Sequence, residues 1–317
     1  MSPNSWTCLH PSNATEAKLS LDNRGLAYGD GFFTTMGVID GQILWLDYHQ
    51  QRLVSHAAAL QLQLDSQSLL AMLKTHAKQL QQGMLKLIVT RAEQEVRGYG
   101  YTPNIGGGSA CEIWLKSSPM AITTARSLPL ADGQFIPLQP AASAICLSSQ
   151  IACLPPPLAG LKSLNRLDNV LASGELQAIK AKTLAGTIKP SIAEGLLRDM
   201  SGQWVEGTMS NVFYQLVEAP VAKSSNRPHS QNNSSSNYLS AGQWYTPSMA
   251  QSGVAGVMRQ VIIDTLSTSN NPVIIRSLQD EDLLHLSQLF FCNALRGIMP
   301  MSSLRLLSGE VVSFEAI

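Results

Sequence analysis

Cysteine does little in this chain. Its five cysteines, Cys8, Cys111, Cys146, Cys153 and Cys292, are scattered and odd in number. There is no CxxC pair and no His/Cys cluster at metal-ligand spacing, so neither a disulfide framework nor a metal centre is expected. A reducing, cytoplasmic compartment is expected instead. A surplus of one charge is also missing. The 22 Lys and Arg balance 22 Asp and Glu, which leaves nothing to draw in nucleic acid. No apolar run approaches the ~18 residues of a membrane helix. The opening MSPNSWTCLH lacks a cationic patch followed by an apolar stretch, so no secretory leader is expected. What is there is length and apolar content: 317 residues, 44% of them hydrophobic. That suffices for one large domain or two smaller ones. The expectation is a soluble enzyme or binding protein.

Periodicity gives an α+β chain. Residues 26–46 read as a turn and two strands joined at IDGQ. A helix follows, with Asp47 as its N-cap and Leu53, His56, Ala57 and Leu60 at helical spacing. A second helix covers 66–82, closed by Gly83. MLKLIVTRAE and ACEIWLKSS read as strands around a long glycine-rich loop, VRGYGYTPNIGGGS, of a kind often functional. Residues 1–118 thus form a small α+β domain of antiparallel character, and 119–131 form a linker. A larger domain occupies 132–317. It begins with strands near 144–153 and a helix from Lys162 to Leu184. Hairpin and strand patterns follow, then a helix after SGVAGVMRQ. A polar insert at about 223–243, KSSNRPHSQNNSSSNYLSAGQ, is disordered by composition.

Three segments can carry chemistry. Lys162 stands among apolar and small residues after LPPPL. Burial beside apolar groups disfavours an ammonium. Moving a lysine from ~10.4 toward ~7 takes roughly 4–5 kcal/mol of differential destabilisation, and a neutral lysine can form a Schiff base with an aldehyde. Read alone, the segment favours the plainer reading, a helix-start lysine whose head reaches water. Glu206, in VEGTMSNVF, sits between a strand end and small residues. A buried carboxylate needs a cationic or donor partner, and a protonated pyridine nitrogen is one; an edge carboxylate is the plain alternative. In SGVAGVMRQVIID a glycine turn feeds a helix whose first N–H groups, near Val257 and Met258, suit an anion such as phosphate. Neither a P-loop nor GxGxxG is present. Arg52 and Asn293 could complete a phosphate cup.

Together these segments resemble the class IV pyridoxal-phosphate enzymes, which include branched-chain and D-amino acid aminotransferases and 4-amino-4-deoxychorismate lyases. Glu206 to Phe213 follows the class pattern of E, any, small, two of any kind, N, aliphatic, aromatic. Tyr245-Thr246 and Val254 to Arg259 match its second half. About thirty residues separate the halves where the family has about ten, and the polar insert accounts for the excess. YGDGFFTTMGVIDG, LKSLNRLDNVL, GVMRQ and FCNALRGIMP look like segments of the lyases in the same order.

The resemblance implies a two-domain fold-type IV architecture like that of D-amino acid aminotransferase, with a small α/β sandwich domain and a larger pseudo-barrel domain. It implies pyridoxal 5'-phosphate and a homodimer. Lys162 would hold the cofactor's aldehyde carbon and Glu206 the pyridine nitrogen. Arg52, the backbone at Val257 and Met258, and Asn293 would hold the phosphate. Arg166 falls near where aminotransferases place a tyrosine beside the phenolic oxygen, and the LNR triplet favours a lyase. Arg97, Tyr99, Tyr28 and Thr34 are the expected substrate contacts. The expected reaction converts 4-amino-4-deoxychorismate to 4-aminobenzoate and pyruvate. The rivals are a branched-chain or D-amino acid aminotransferase and a non-catalytic interaction protein that keeps the fold.

Overall fold

A computed structural model describes residues 6–10, 18–102, 111–122, 126–130, 134–184, 192–217, 239 and 242–314. The polar insert expected at 223–243 lies almost wholly outside the described residues, as does the second half of the glycine-rich loop. The chain separates into two compact units, Met1–Ile122 with Leu154–Arg166, and Thr123–Cys153 with Leu167–Ile317.

The first unit holds β1 (Trp6–His10), α1 (Arg24–Tyr28), β2 (Gly31–Ile39), β3 (Gln42–Ile43), α2 (Leu46–Ala59), α3 (Ser66–Leu80), β4 (Gly83–Arg91) and β5 (Cys111–Pro119). Its five-stranded sheet has the order β1-β5-β4-β2-β3, and every pairing is antiparallel. Residues Leu85, Leu87 and Val89 alternate onto one face of β4. There they join Leu53 of α2 and Leu69 and Leu73 of α3 in one core. The β2–β3 turn is Asp40-Gly41, both at positive φ (51° and 70°), the backbone a two-residue hairpin requires.

Two helix starts differ from expectation. Asp47 lies in the first turn of α2, and Trp45 holds the cap position at φ 59° without a side-chain cap bond. The α3 helix is capped by Asp65, whose carboxylate accepts the Gln67 and Ser68 N–H groups, and it ends at Leu80 rather than 82.

Asp30 binds this unit together at the root of β2. Its Oδ2 accepts from Arg24 Nε and Arg91 Nε, both at 2.9 Å, and both arginines are buried. Arg24 Nη2 also donates to the Tyr99 carbonyl, and Arg91 Nη2 to the Leu60 carbonyl.

The second unit holds β6 (Arg126–Pro129), β7 (Phe135–Leu138), β8 (Ala142–Ile151), α4 (Leu167–Leu184), β9 (Ile192–Asp199), β10 (Trp204–Gly207), β11 (Asn211–Leu216), β12 (Tyr245–Thr246), α5 (Val257–Leu266), β13 (Ile274–Ile275), a 3-10 turn (Asp280–His285), β14 (Leu286–Asn293), β15 (Gly297–Arg305) and β16 (Val311–Ser313). The stretch expected to be a linker therefore contains a strand, β6, paired antiparallel with β7. The sheet closes on itself. β11 pairs β10, β10 pairs β9, β9 pairs β8, β8 pairs β15, β15 pairs β14, and β14 returns to β11. A closed circuit leaves those six strands no free edge. Trp204, Tyr214 and Phe291 fill one side of it. On the other, Ala172 and Leu176 of α4 pack on Leu147 and Leu197. Glu175 fastens α4 to β8, accepting from the N–H and hydroxyl groups of Ser148 and Ser149.

The segment with Lys162, assigned from sequence to 132–317, packs with the N-terminal residues. Nor does the helix begin at Lys162; it begins at Leu167. Phe33 N–H donates to the Lys162 carbonyl and Leu164 N–H to the Gly31 carbonyl, each at 3.0 Å, with an antiparallel bridge between Phe32 and Ser163. Main-chain groups spent on β2 cannot also close helical turns.

Replacing Asp30 with Asn should destabilise the chain by about 3 kcal/mol, because two buried guanidiniums lose the carboxylate they share. The urea midpoint should fall with the slope unchanged.

Candidate active site

Helical spacing on α2 builds the first residue set. His49, Arg52 and His56 sit at i, i+3 and i+7, which places them on one face. All three are buried. Thr34 of β2 meets that face. Its hydroxyl lies 2.8 Å from His49 Nδ1 and accepts from Arg52 Nη1 at 3.4 Å. Thr34 thus links the imidazole to the guanidinium through one oxygen. Burial, then the charges of Arg52 and Lys162, hold His49 well below the usual histidine range. Burial brings Arg52 down to about 10, which leaves it a cation at neutral pH.

Lys162 belongs to the same neighbourhood. Its main-chain N–H donates to His56 Nε2 at 2.9 Å. Its half-buried side chain places Nζ 4.7 Å from the centroid of the Phe33 ring. Arg166 turns back to donate to the Leu161 carbonyl. Burial first, and then Arg52, Lys162 and Arg166, push His56 down to about 3. Arg52, Lys162 and Arg166 are thus gathered around two neutral imidazoles.

The second set lies on β10, β11 and the turn before α5. Glu206 of β10 is 3% exposed. Its Oε2 accepts the Val254 N–H at 2.8 Å, and its Oε1 accepts from Asn169 Nδ2 of α4 at 3.3 Å. Asn211 of β11 donates to the Val254 carbonyl at 2.8 Å. Both main-chain polar groups of Val254 are therefore held. Gly253 and Gly256 let this turn run close to the strands. Gly253 has φ +75°, and a Cβ on Gly256 would stand 1.9 Å from Asn211 Oδ1. Gly256 is the N-cap of α5. The first helical bond recorded there is Gln260 N–H to the Gly256 carbonyl, so the N–H groups of Val257 and Met258 precede it and point out of the helix start.

The remaining predicted residues fare differently. Asn293 uses its side-chain carbonyl in its own turn, accepting from Leu295 and Arg296 N–H, and donates to the Met209 carbonyl at 3.4 Å. Thr34, expected to touch substrate, is fully buried and serves Arg52 and His49 instead. Tyr28 and Tyr99 make an edge-on pair with centroids 5.3 Å apart, beside Arg24, and Arg97 is exposed two residues earlier. Sequence reasoning missed His49, His56 and Asn169. The first two were visible as companions of Arg52 at helical spacing. Asn169 carried no such signal, because only packing brings α4 to β10. Among the described residues no group of three or more His, Cys, Asp or Glu is placed to hold a metal.

Two measurements check this geometry. Below pH ~6.5 the unfolded chain protonates His49 and His56 while the folded chain does not. Stability should therefore be full above that value and fall as pH drops toward about 3, by up to about 1.4 kcal/mol per pH unit for each histidine. Urea midpoints across pH 8 to 4 read this, and His56→Gln should flatten the slope. Gly256→Ala should cost about 1–3 kcal/mol, since its methyl must displace the Asn211 amide; thermal melting reads the loss.

The profile described as "Amino-transferase class IV" matches residues 31–304. Aminodeoxychorismate lyase of Vibrio harveyi is 23% identical over 290 residues, 91% of this chain and 88% of that protein. A putative branched-chain-amino-acid aminotransferase of Methanocaldococcus jannaschii is 26% identical over 308 residues, 95% of this chain and 87% of its own. Among solved structures, 4-amino-4-deoxychorismate lyase from Pseudomonas aeruginosa superposes with a TM-score of 0.68 at 30% identity, covering 94% of this chain and 90% of that one. The branched-chain amino acid aminotransferase of Escherichia coli gives 0.63 at 19% identity, covering 91% and 82%. The fold is that of the fold-type IV enzymes, and with the profile spanning both units this chain belongs to the class IV aminotransferase family, which depends on pyridoxal phosphate.

Proposed function

We propose that the chain is a lyase that converts 4-amino-4-deoxychorismate to 4-aminobenzoate and pyruvate. The observation that carries this choice within the family is the 30% identity to the Pseudomonas aeruginosa lyase over 94% of the chain. The aminotransferase structure from Escherichia coli stands at 19%. The 26% identity to the Methanocaldococcus protein favours the second reading, an aminotransferase.

Each unit by itself carries groups of the kind pyridoxal phosphate needs. A phosphate dianion needs a cation and aligned N–H donors. The first unit has Arg52, cationic and nine-tenths buried, and the second has the start of α5, with N–H groups at Val257 and Met258 beside Gly256. Asn293 would join through its amide nitrogen, since its oxygen is committed to the turn. A ring nitrogen that carries a proton needs a buried anion, and Glu206 is one, already aligned by the Val254 N–H and Asn169. When bound, the cofactor supplies an electron sink for the carbon that loses its proton.

The protein's own groups do the rest. In this reading Lys162 would hold the cofactor, and its freed amine would remove the proton from the substrate carbon bearing nitrogen. Glu206 would hold the ring nitrogen. The C–O bond to the enolpyruvyl group breaks on the neighbouring ring carbon, and the six-membered ring becomes aromatic. Lys162 returns a proton to the three-carbon fragment, which leaves as pyruvate. Arg166 stands in for the aminotransferase tyrosine near the phenolic oxygen. Arg97, Tyr99 and Tyr28 are the proposed contacts for the substrate carboxylates. A homodimer in the cytoplasm completes the reading.

Purified protein with synthetic 4-amino-4-deoxychorismate should release 4-aminobenzoate and pyruvate in equal amounts. Lys162→Ala should lower the rate at least 10³-fold, on the order of what loss of a covalent catalytic group costs. Glu206→Gln should lower kcat by roughly 10²-fold. Steady amino transfer between an amino donor and a 2-oxo acid, without 4-aminobenzoate, would establish the aminotransferase instead.

A further inference from the structure

A lysine amine sits on a flexible four-carbon stem, so its reach is defined only if its main-chain root is fixed. On one side β2 fixes it, through the Phe33 N–H on the Lys162 carbonyl. The Lys162 main-chain N–H takes a different partner. It meets α2, where His56 Nε2 accepts it at 2.9 Å. We propose that His56 is a positioning residue for Lys162, holding the lysine's main-chain N–H and thereby fixing its Cα with respect to Arg52, one helical turn earlier on α2. The proposal rests on the assignment of Lys162 as the cofactor lysine.

The hydrogen bonds have a single direction. A main-chain N–H can only donate, so His56 Nε2 is the acceptor and Nδ1 carries the hydrogen. Nδ1 lies 3.3 Å from Ser55 Oγ, and that hydroxyl donates to the Arg52 carbonyl at 3.2 Å. The series runs from Lys162 through His56 and Ser55 to the main chain of Arg52. It would break if His56 took a second proton, and its surroundings oppose that. The Phe32 ring packs edge-on at 5.4 Å, the ring is 5% exposed, and the charges acting on it are those of Arg52, Lys162 and Arg166, all positive. His49, on the same helix face, is neutral. Thr34 meanwhile orients the Arg52 guanidinium from β2. One helix and one strand thus set both the root of the amine and the cation for the phosphate.

The test compares the full-length wild type with His56→Leu, which fills the space without an acceptor, and His56→Gln, whose amide oxygen can replace Nε2. Apo protein is mixed with pyridoxal phosphate, and the rate at which the protein-bound absorbance band appears is followed, together with its pH midpoint. His56→Leu should form the band roughly 10- to 100-fold more slowly, as displacement of a reacting group by about an ångström does, and its midpoint should move. His56→Gln should stay within about threefold of wild type. A wild-type rate and midpoint in His56→Leu would overturn the proposal, and so would a His56→Gln as slow as His56→Leu. If His56→Leu yields no soluble protein, a fast His56→Gln sustains the acceptor role and a slow one removes it. Absence of the band in wild type, or its persistence in Lys162→Ala, overturns the lysine assignment and this proposal with it.

Discussion

The short antiparallel pairing of Lys162–Leu164 with the start of β2 is the constraint on which the first residue set depends. Two main-chain hydrogen bonds take the Lys162 stretch out of helical conformation and lay it against the sheet. Everything nearby is ordered by that choice. Phe33 comes under the amine, the Lys162 N–H turns toward α2, and Arg166 folds back on Leu161. Had the helix started at Lys162, the N–H would have become one of the helix's own open donors, with no reason to meet His56.

Electrostatics in this unit are asymmetric. Three cationic side chains surround two imidazoles that burial keeps neutral. Such a neighbourhood favours an anion and disfavours extra protons. Within the second unit, Glu206 is an equally buried acid, held by a peptide N–H and an amide. A buried charge persists only when it has donors or partners. Each of these side chains has a fixed support, Thr34 for Arg52 and the Val254 N–H for Glu206, which keeps its direction.

Both supports rely on close backbone approach. Gly256 leaves space for the Asn211 amide where a methyl would sit at 1.9 Å. Asn211 then holds the Val254 carbonyl while Glu206 holds its N–H. The approach to α5 is held at that one residue, Val254, and β10 and β11 carry both side chains because they are neighbours in the closed circuit of strands. The pairing Glu206–Asn211 in the β10–β11 register explains why an acid and an amide five residues apart act together.

The sequence by itself singled out the candidate site residues. Lys162, Glu206, Asn211 and the glycine turn before α5 stood in recognisable segments, because their spacing follows local strand and turn geometry. Alternation and helical spacing likewise placed β2, β4, α2 and α3 to within a few residues. Only the tertiary structure decided where Lys162 stands. Its conformation comes from hydrogen bonds to β2, about 130 residues earlier in the chain, and no local propensity encodes them. The partners of the site side chains were decided the same way: His56 for the lysine amide, Thr34 for the arginine, Asn169 for the acid. A hydrogen-bond partner is set by which surfaces meet on packing, and sequence spacing carries that information only when both residues share a helix face or a hairpin.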